Sequence, residues 1–462
     1  MSRNLRILGH LEFCSMPNLL LFSNQQLLHQ QFLSTDLGRL YLSIPFDDLA
    51  STIVLPDHHK KGLGRKPWFD VKGGIGLLVL KSYLQISDEL LIERINTDWA
   101  MQLFCGILLH PGQQIRDTNL PGMWRGYIGR HLNIATMQQQ LARYWKPYLQ
   151  HSGIGMQDAT CYESRISFPT DIKLLWQSCQ YVYRLIQDLR HQNKLRRSRM
   201  NFDKHNNAVL SYQKTKKKTR RQEKKLRKKV VKFLLNLITH LRELQQNAGV
   251  RLSDKQQQQL KTIIKIYEQQ HGKLYGDSTV IKDRIVSLSK PYIRPIVRGK
   301  EVKLVEFGAK VNMLQIDGIN FIEHLSYDAF NEGTRLQSGI YLQRKLMGKC
   351  THQSADKIYA TNANRKYCTT QNITTNFLPK GRQKLQHIAQ AETLRKSLDR
   401  ARATRLEGSF GNEKNHYLLS KIAARNQTTE TCWIFFGIMT ANASKITNRM
   451  QKQKSEAHQR AA

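Results

Sequence analysis

Acidic side chains are scarce in this sequence of 462 residues. It carries 35 Asp and Glu against 73 Lys and Arg, which gives a formal net charge of +38. A chain with so large an excess of one sign repels itself unless ions of the opposite sign neutralise it, and a polyanion is the simplest source of such ions. The composition therefore makes nucleic acid the leading candidate for a partner.

Paired cysteines and long apolar runs are also missing. The seven cysteines are scattered, and no two of them form a CxxC pair, so the sequence indicates neither a disulfide framework nor a zinc ribbon. The longest apolar stretches, such as residues 75–80 and 433–439, fall far short of the roughly 20 residues that cross a bilayer. No signal peptide is recognisable, and we expect a soluble, cytoplasmic protein without a membrane partner.

The motifs of several enzyme classes are absent as well. The sequence has no GxxxxGK[ST] loop, so we expect no nucleotide cofactor. No set of Ser, His and Asp, or of Cys and His, suggests a nucleophilic side chain. His58 and His59 are adjacent, and neighbouring side chains point in different directions on either a helix or a strand, which argues against a metal site there.

The hydrophobic pattern divides the chain into segments. Residues 1–67 are an N-terminal segment that ends in a basic linker. Apolar positions three and four apart over residues 68–109 predict a cluster of short helices, and we assign a small all-helical domain to residues 68–130, which serves either in core packing or in recognition of DNA or a second protomer. Strand and helix patterns over residues 150–445 predict an α/β domain, and we expect residues 446–462 to form a flexible tail. Within the α/β domain, Asp-Gly at 317–318 predicts a hairpin.

A strongly basic segment interrupts the α/β domain. Residues 190–232 contain 18 Lys and Arg against two acids and continue into two amphipathic helices, so we predict a basic helical insertion over residues 190–285. Its charged face is either simply solvated or binds phosphates, and phosphate binding explains better why so many like charges lie together. The candidate DNA-binding residues are Lys194, Arg196, Arg197, Arg199, Lys216, Lys217, Lys218, Arg220, Arg221, Lys224, Lys225, Arg227 and Lys228.

Three carboxylates are candidates for chemistry. Asp158 lies within a predicted strand, where a buried charge is costly unless it is paired or binds a metal. Asp356 ends a predicted strand, and α/β sites assemble at the carboxyl ends of strands. On a helix, Glu407 would share a face with Lys414 and Tyr417. Each acid has salt bridging as an alternative role. Four other acids lie in or beside the predicted sheet: Glu306, Asp317, Asp328 and Glu332.

Several short blocks, taken together, resemble the DDE transposases of bacterial insertion sequences. The blocks are DAT at 158–160, ISFPTD at 166–171, ADKIY at 355–359, and LEGSFG at 406–411 followed by Lys414 and Tyr417. Residues 294–311 and 431–442 match as well, and residues 68–109 resemble the helical N-terminal domain of these enzymes. The likeness covers about residues 68–445, which is most of the chain.

The resemblance implies an α/β fold of the ribonuclease H-like type. Such a fold has a mixed sheet with flanking helices, here interrupted by the basic insertion and preceded by the small helical domain. The resemblance further implies that Asp158, Asp356 and Glu407 bind Mg²⁺ or Mn²⁺, as two ions, with Lys414 and Tyr417 in support. Related enzymes carry an arginine four residues before this glutamate. Here that position is Ala403, and the nearest arginines are Arg402 and Arg405.

The same resemblance implies a transposase that acts in the bacterial nucleoid. Such an enzyme binds the ends of an insertion sequence, cuts a strand and joins the exposed 3′-hydroxyl to target DNA. It works as a homodimer on DNA. Alternatives from other classes are a ribonuclease H-like endonuclease that transfers no strand, a DNA-binding protein without activity, and a catalytically decayed relic.

Overall fold

The chain is an α/β protein that divides into two compact units. The computed structural model describes residues 24–53, 67–198, 200–276, 281–297, 304–380 and 388–461. The first unit contains the described residues of 1–164, 309–326 and 330–462, and the second contains those of 165–308 and 327–329.

Helices precede the first strand of the first unit. They are α1 (Asn24–Ser34), α2 (Asp36–Leu42), α3 (Phe46–Ser51), α4 (Val71–Leu84), α5 (Asp88–Ile95), α6 (Trp99–Phe104), α7 (Leu120–His131) and α8 (Ile134–Trp145). Helix α4 is buried almost all round: Gly74 touches Trp124 of α7 so closely that a Cβ there would lie 2.4 Å from the indole ring. The helices therefore belong to the same unit as the sheet, which differs from the separate helical domain predicted over residues 68–130.

The sheet of the first unit is mixed. Its central strand β1 (Ile154–Ser164) lies between β3 (Val305–Ile316) and β5 (His352–Ala355). Strand β3 pairs antiparallel with β4 (Ile319–Ser326), whereas β1, β5 and β6 (Thr374–Thr375) run parallel. A short strand, β7 (Lys421–Ile422), pairs in parallel with the end of β1.

The turn between β3 and β4 confirms the predicted hairpin. Its two central residues, Asp317 and Gly318, have φ angles of 46° and 80°. Two positive φ angles define the tight turn that matches the twist of paired antiparallel strands, and Asp-Gly is among the residue pairs that adopt it most readily. The hairpin could be predicted because the signal is local.

Five helices follow β4 in the described residues. They are α13 (Leu336–Met347), α14 (Asn362–Thr370), α15 (Ile388–Ala401), α16 (Glu407–His416) and α17 (Gln427–Ala461), and a π turn over Arg402–Leu406 joins α15 to α16. Helix α17 runs to Ala461, so the residues predicted as a flexible tail are helical through residue 461. None of the described helices, α17 included, is long and apolar enough to cross a membrane.

The second unit is the helical insertion. It contains α9 (Asp171–Gln192), α10 (Phe202–Lys214), α11 (Arg220–Ala248) and α12 (Asp254–Tyr275), and also β2 (Pro295–Val297), which pairs antiparallel with the first residues of β3. The apolar side of α9 packs in one core with α11 and α12, around Trp176, Leu237 and Ile263. Helix α9, most of which precedes the predicted insertion of residues 190–285, therefore packs with the helices of that insertion, and the second unit begins at Arg165.

Candidate active site

Asp158 lies on β1, and Asp356 directly follows the neighbouring parallel strand β5. In the register of β1 and β5, Gln157 is opposite Ala355, so the next residue after each of these is an aspartate. Asp158 is the more buried, with 16% of its side chain exposed against 50% for Asp356. Asp356 is the first residue after β5 and caps a short 3-10 helix, and its Oδ1 accepts a 2.7 Å hydrogen bond from the backbone N–H of Lys357.

Arg402 lies between all three predicted catalytic acids. Its Nη1 is 2.8 Å from Asp158 Oδ2 and 3.4 Å from Glu407 Oε1, and its Nη2 is 4.0 Å from Asp356 Oδ1. The Arg402 side chain is 15% exposed, and its Nε has no hydrogen-bond partner among the described residues. The three carboxylates singled out from the sequence therefore converge on one guanidinium group.

A π turn gives Arg402 this position. The backbone N–H of Glu407 donates to the carbonyl of Arg402, five residues earlier, across the π turn. In an α-helix, residues five apart lie about 140° apart around the axis, whereas a turn closed by an i to i+5 hydrogen bond brings them onto one side. Arg402 consequently lies one turn before Glu407, where an unbroken α-helix would place Ala403.

Side chains on one face of β1 contact side chains of helix α16. Alternate residues of a strand share a face, and Asp158, Thr160 and Tyr162 are on the face that meets this helix. Lys414 Nζ donates to Thr160 Oγ1 at 3.0 Å and lies 5.8 Å from the centroid of the Tyr162 ring. The Tyr162 hydroxyl donates to the carboxylate of Glu413. Lys414 is thus held two residues along the strand from Asp158.

Burial raises the pKa of Asp158 to about 6. The 2.8 Å hydrogen bond from the backbone N–H of Ala159 and the positive charge of Arg402 lower this pKa, while the negative charges of Glu332 and Asp356 raise it further. A carboxyl group whose pKa is shifted by burial together with specific charged neighbours is typical of functional sites. The carboxyl group of Asp158 therefore titrates at a pH of about 6, just below neutral.

Tyr417 lies beyond the helix that was predicted to carry it. Helix α16 ends at His416, and the φ of Tyr417 is −137°. The backbone N–H of Tyr417 donates to the carbonyl of Glu413 at 3.1 Å, as in the last turn of a helix. Tyr417 is therefore the C-cap of α16, one residue past the last residue of the helix that carries Glu407 and Lys414.

The other acids of the sheet region have separate surroundings. Asp317 is the turn residue of the β3–β4 hairpin. Glu332 lies 2.7 Å from the ammonium of buried Lys310, and Asp328, in the second unit, lies 3.7 Å from Arg294. Of these three, Glu332 influences the pKa of Asp158, so it lies near the candidate site without contacting Arg402 in the described structure.

The predicted basic face is exposed on the second unit. The exposed members of the predicted set are Lys194, Arg196, Arg197, Lys216, Lys217, Lys218, Arg220, Arg221, Lys224, Lys225 and Lys228. Arg199 lies outside the described residues. Arg227 differs from the prediction, because it points inward and its Nη1 donates to Asp171 Oδ2 at 3.0 Å.

Asp171 explains the inward orientation of Arg227. Asp171 is 7% exposed, and its carboxylate lies 2.5 Å from Lys273 Nζ and 3.0 Å from Arg284 Nη2, besides Arg227. Gln270 donates to it as well, at 3.0 Å. Burial by itself would raise the pKa of Asp171, but the hydrogen bonds from Lys273 and Gln270 lower it overall. The aspartate of the ISFPTD block therefore ties α9 to α11 and α12.

The three converging acids offer the ligand type that hard divalent cations prefer. Carboxylate oxygens suit Mg²⁺ and Mn²⁺, and Asp158, Asp356 and Glu407 together supply three carboxylates around one cationic position. Arg402 holds that position, and in the described part of the chain no three His, Cys, Asp or Glu side chains are grouped so that they could hold a metal ion. A metal ion would compete with Arg402 for these oxygens.

The chain matches no protein-family model, no curated protein and no solved structure.

Proposed function

We propose that the protein is a DDE-type DNA transposase that binds the ends of an insertion sequence and cuts and joins DNA strands. The convergence of Asp158, Asp356 and Glu407 on Arg402 carries this proposal. Motifs in the sequence predict these three acids, which lie on one strand, directly after a second strand and on a helix, at widely separated positions in the sequence. Unrelated surface acids would have no reason to meet at one point.

The sheet supports the finer proposal of a ribonuclease H-like fold. It is mixed, with an antiparallel β3–β4 hairpin on one side of β1 and parallel strands on the other. Asp158 lies on β1, Asp356 directly follows the neighbouring strand β5, and Glu407 lies on a helix that contacts β1. A mixed sheet with this supply of acids is what the resemblance implies.

The proposed chemistry needs metal ions and no nucleophilic side chain. Two Mg²⁺ or Mn²⁺ ions, when bound, would stabilise the attacking and leaving oxygens of an in-line displacement at phosphorus. Asp158, Asp356 and Glu407 would hold them. Lys414, which Thr160 orients, would offer a point charge to a phosphate oxygen.

The exposed basic face of the second unit would bind DNA through its phosphates. Eleven exposed Lys and Arg of the predicted set lie there, and contacts to phosphate position a protein on DNA without reading its sequence. A homodimer would hold two transposon ends together, and this is part of the proposal.

The test is strand cleavage and joining by purified protein. The substrate is a duplex that carries the DNA flanking the gene, incubated with Mg²⁺ or Mn²⁺. We expect wild-type protein to cut and join, and we expect Asp158→Ala, Asp356→Ala and Glu407→Ala each to reduce cleavage at least a hundredfold while DNA binding persists. Asp203→Ala, which removes an exposed acid from α10, is the matched control.

The possible results separate the alternatives. Variants that cut as well as wild type would show that the site lies elsewhere. A wild-type protein that cuts but never joins would be an endonuclease, and one that binds DNA but never cuts would be a relic or a binding protein.

A further inference from the structure

A buried polar network lies beneath the helix that carries Glu407. Its centre is Asn320 on β4, which is 1% exposed. The side-chain amide of Asn320 donates to Ser409 Oγ at 2.8 Å and to Glu413 Oε1 at 2.5 Å. Its Oδ1 accepts from Gln315 Nε2 at 2.8 Å. Both amide protons and the carbonyl oxygen of this side chain are thus used inside the core.

The backbone of Asn320 is held as firmly as its side chain. Its N–H donates to Asn442 Oδ1 at 2.9 Å, and its carbonyl accepts from Asn442 Nδ2 at 2.7 Å. Asn442 lies on α17, which packs against β4. Asn320 therefore has a fixed position relative to the sheet, and the groups that it binds take their position from it.

Two of those groups set the rotation of α16. Ser409 and Glu413 are four residues apart, so they share one face of the helix. Glu413 is buried, burial raises its pKa, and its carboxylate accepts from Tyr162 on β1 as well as from Asn320. A buried carboxylate is tolerated only with such partners. Rotation of α16 about its axis would break the hydrogen bonds of Ser409 and Glu413, so these bonds fix which face of the helix is directed toward the sheet.

The same network reaches the π turn. The Ser409 hydroxyl donates to the carbonyl of Leu406 at 2.7 Å, and Gln315 Nε2 lies 3.4 Å from the carbonyl of Arg405. Leu406 and Arg405 are the last two residues of the π turn. Side chains that insert into the hydrogen-bond ladder of a helix are a recognised cause of such irregular turns.

We propose that Asn320 is a positioning residue of the candidate active site: by binding Ser409 and Glu413 it holds the π turn and so places Arg402 one turn before Glu407. Without this hub, the helix can relax to regular α geometry, which would bring Ala403 to the same place and turn Arg402 away. The effect of Asn320 on DNA cleavage rests on the proposed function. Its effect on the register of the helix does not rest on that function.

The test moves the arginine from position 402 to position 403 and asks which of the two positions faces Asp158. Asn320→Ala should reduce cleavage at least tenfold, because Asp158, Asp356 and Glu407 lose the shared guanidinium that holds them in one arrangement, while DNA affinity stays within about twofold of wild type. Adding Arg402→Ala together with Ala403→Arg should recover most of that loss, because the relaxed helix presents position 403 to Asp158. In the wild-type background the same exchange should be no better than Arg402→Ala alone.

Ser409→Ala provides a second, milder variant in case Asn320→Ala fails to fold. It removes one hydroxyl of the network, while the buried Glu413 carboxylate keeps its partners Tyr162 and Asn320. Its control is Ser178→Ala, which removes a buried helical hydroxyl that donates to its own helix in the second unit. We expect Arg402→Ala with Ala403→Arg to restore cleavage in the Ser409→Ala background and to give no improvement in the Ser178→Ala background.

A readout without DNA chemistry keeps the inference separate from the proposed function. The pKa of Asp158, followed by NMR of its carboxyl carbon, should rise above about 6 when Arg402 leaves, and it should return when position 403 carries arginine. An unchanged pKa of Asp158 in folded Asn320→Ala and Ser409→Ala would overturn the inference. So would a rescue that is equally strong in the wild-type background.

Discussion

Arg402 and Asp158 are joined by a 2.8 Å contact between Nη1 and Oδ2, although 244 residues separate them in the sequence. The same guanidinium lies within 3.4 Å of Glu407 and 4.0 Å of Asp356. One positive charge thus screens three carboxylates that would otherwise repel each other. When all three are ionised the cluster retains two net negative charges, which a divalent cation would balance.

Removing the Arg402 charge should strengthen metal binding. In Arg402→Gln the three carboxylates lose their internal cation, and we expect the affinity for Mn²⁺ without DNA to rise by about tenfold or more, since charges a few ångströms apart interact by about 4 kcal/mol near a protein surface. Isothermal titration calorimetry measures this directly. Arg405→Gln removes an exposed charge from the same turn and should change little. Equal affinities in Arg402→Gln and wild type would contradict the prediction.

The stability of the metal-free protein should depend on the ionisation of Asp158. Its pKa is about 6 in the folded chain against a model value of 3.8, so the folded state binds more protons between these pH values. The contribution of Asp158 to stability is complete below pH 3.8 and is lost as the pH rises through about 6.

Asp158→Asn removes this dependence because the amide stays neutral. We expect the variant to be more stable than wild type at pH 7 by about 1–3 kcal/mol, at roughly 1.4 kcal/mol per pKa unit, and to show no such advantage at acid pH. Denaturant unfolding at a series of pH values measures the difference, with Asp203→Asn as the exposed control. An advantage that is the same at every pH would show that burial of the Asp158 charge is not its cause.

Lys414 should matter for cleavage more than for DNA affinity. Lys414→Met keeps an unbranched side chain one atom shorter than lysine but removes the charge, so we expect single-turnover cleavage to slow by about 10–100-fold, or roughly 1.4–2.7 kcal/mol in the barrier. Lys421→Met, at an exposed position on β7, is the control. If Lys414→Met cuts at the wild-type rate, the role of Lys414 is confined to packing.

Asp171 should be essential to the stability of the second unit. Asp171→Ala leaves three basic side chains around an empty buried position, and removal of one partner from a buried ion pair typically costs about 3–5 kcal/mol. Urea unfolding of the purified protein measures the loss. Asp203→Ala, which removes an exposed acid from the same unit, should stay within about 0.5 kcal/mol of wild type. A similar loss in both variants would assign the effect to net charge.

The basic face should determine how DNA binding responds to salt. Each phosphate contact adds about 0.9 to the slope of log affinity against log salt concentration, so Lys224→Gln with Lys225→Gln should lower that slope by up to about 1.8. Lys452→Gln with Lys454→Gln makes the same change in net charge at exposed positions of α17. Fluorescence anisotropy with a duplex measures both pairs. If the two pairs change the slope equally, overall charge rather than this face governs binding.

Features with local causes could be predicted from the sequence. The Asp317-Gly318 hairpin follows from backbone preferences of two residues, and the exposed basic helices follow from a run of like charges beside an amphipathic pattern. The carboxylates Asp158, Asp356 and Glu407 were found by motif. Each of these signals lies within a short stretch of chain.

Other features could not be predicted because the sequence does not show which of several possible packing or ion-pair partners a residue meets in the fold. The sequence shows that α9 is amphipathic, but its apolar side could have packed on the sheet, and only the fold shows that it packs in the insertion with α11 and α12. Arg227 belongs to the basic run by sequence, yet a buried carboxylate 56 residues away draws it inward.

The sequence alone therefore determined the charge of the molecule, the mixed α/β character of the chain and the identity of its candidate acids. The tertiary structure decided which cation those acids share. A π turn adds one residue to a helical turn. Gln315 donates to the carbonyl of Arg405 within this turn, Asn320 donates to Ser409 just after it, and both donors lie on strands about 90 residues earlier. No local pattern around Arg402 reveals those donors, because they reach the helix only when the sheet has formed.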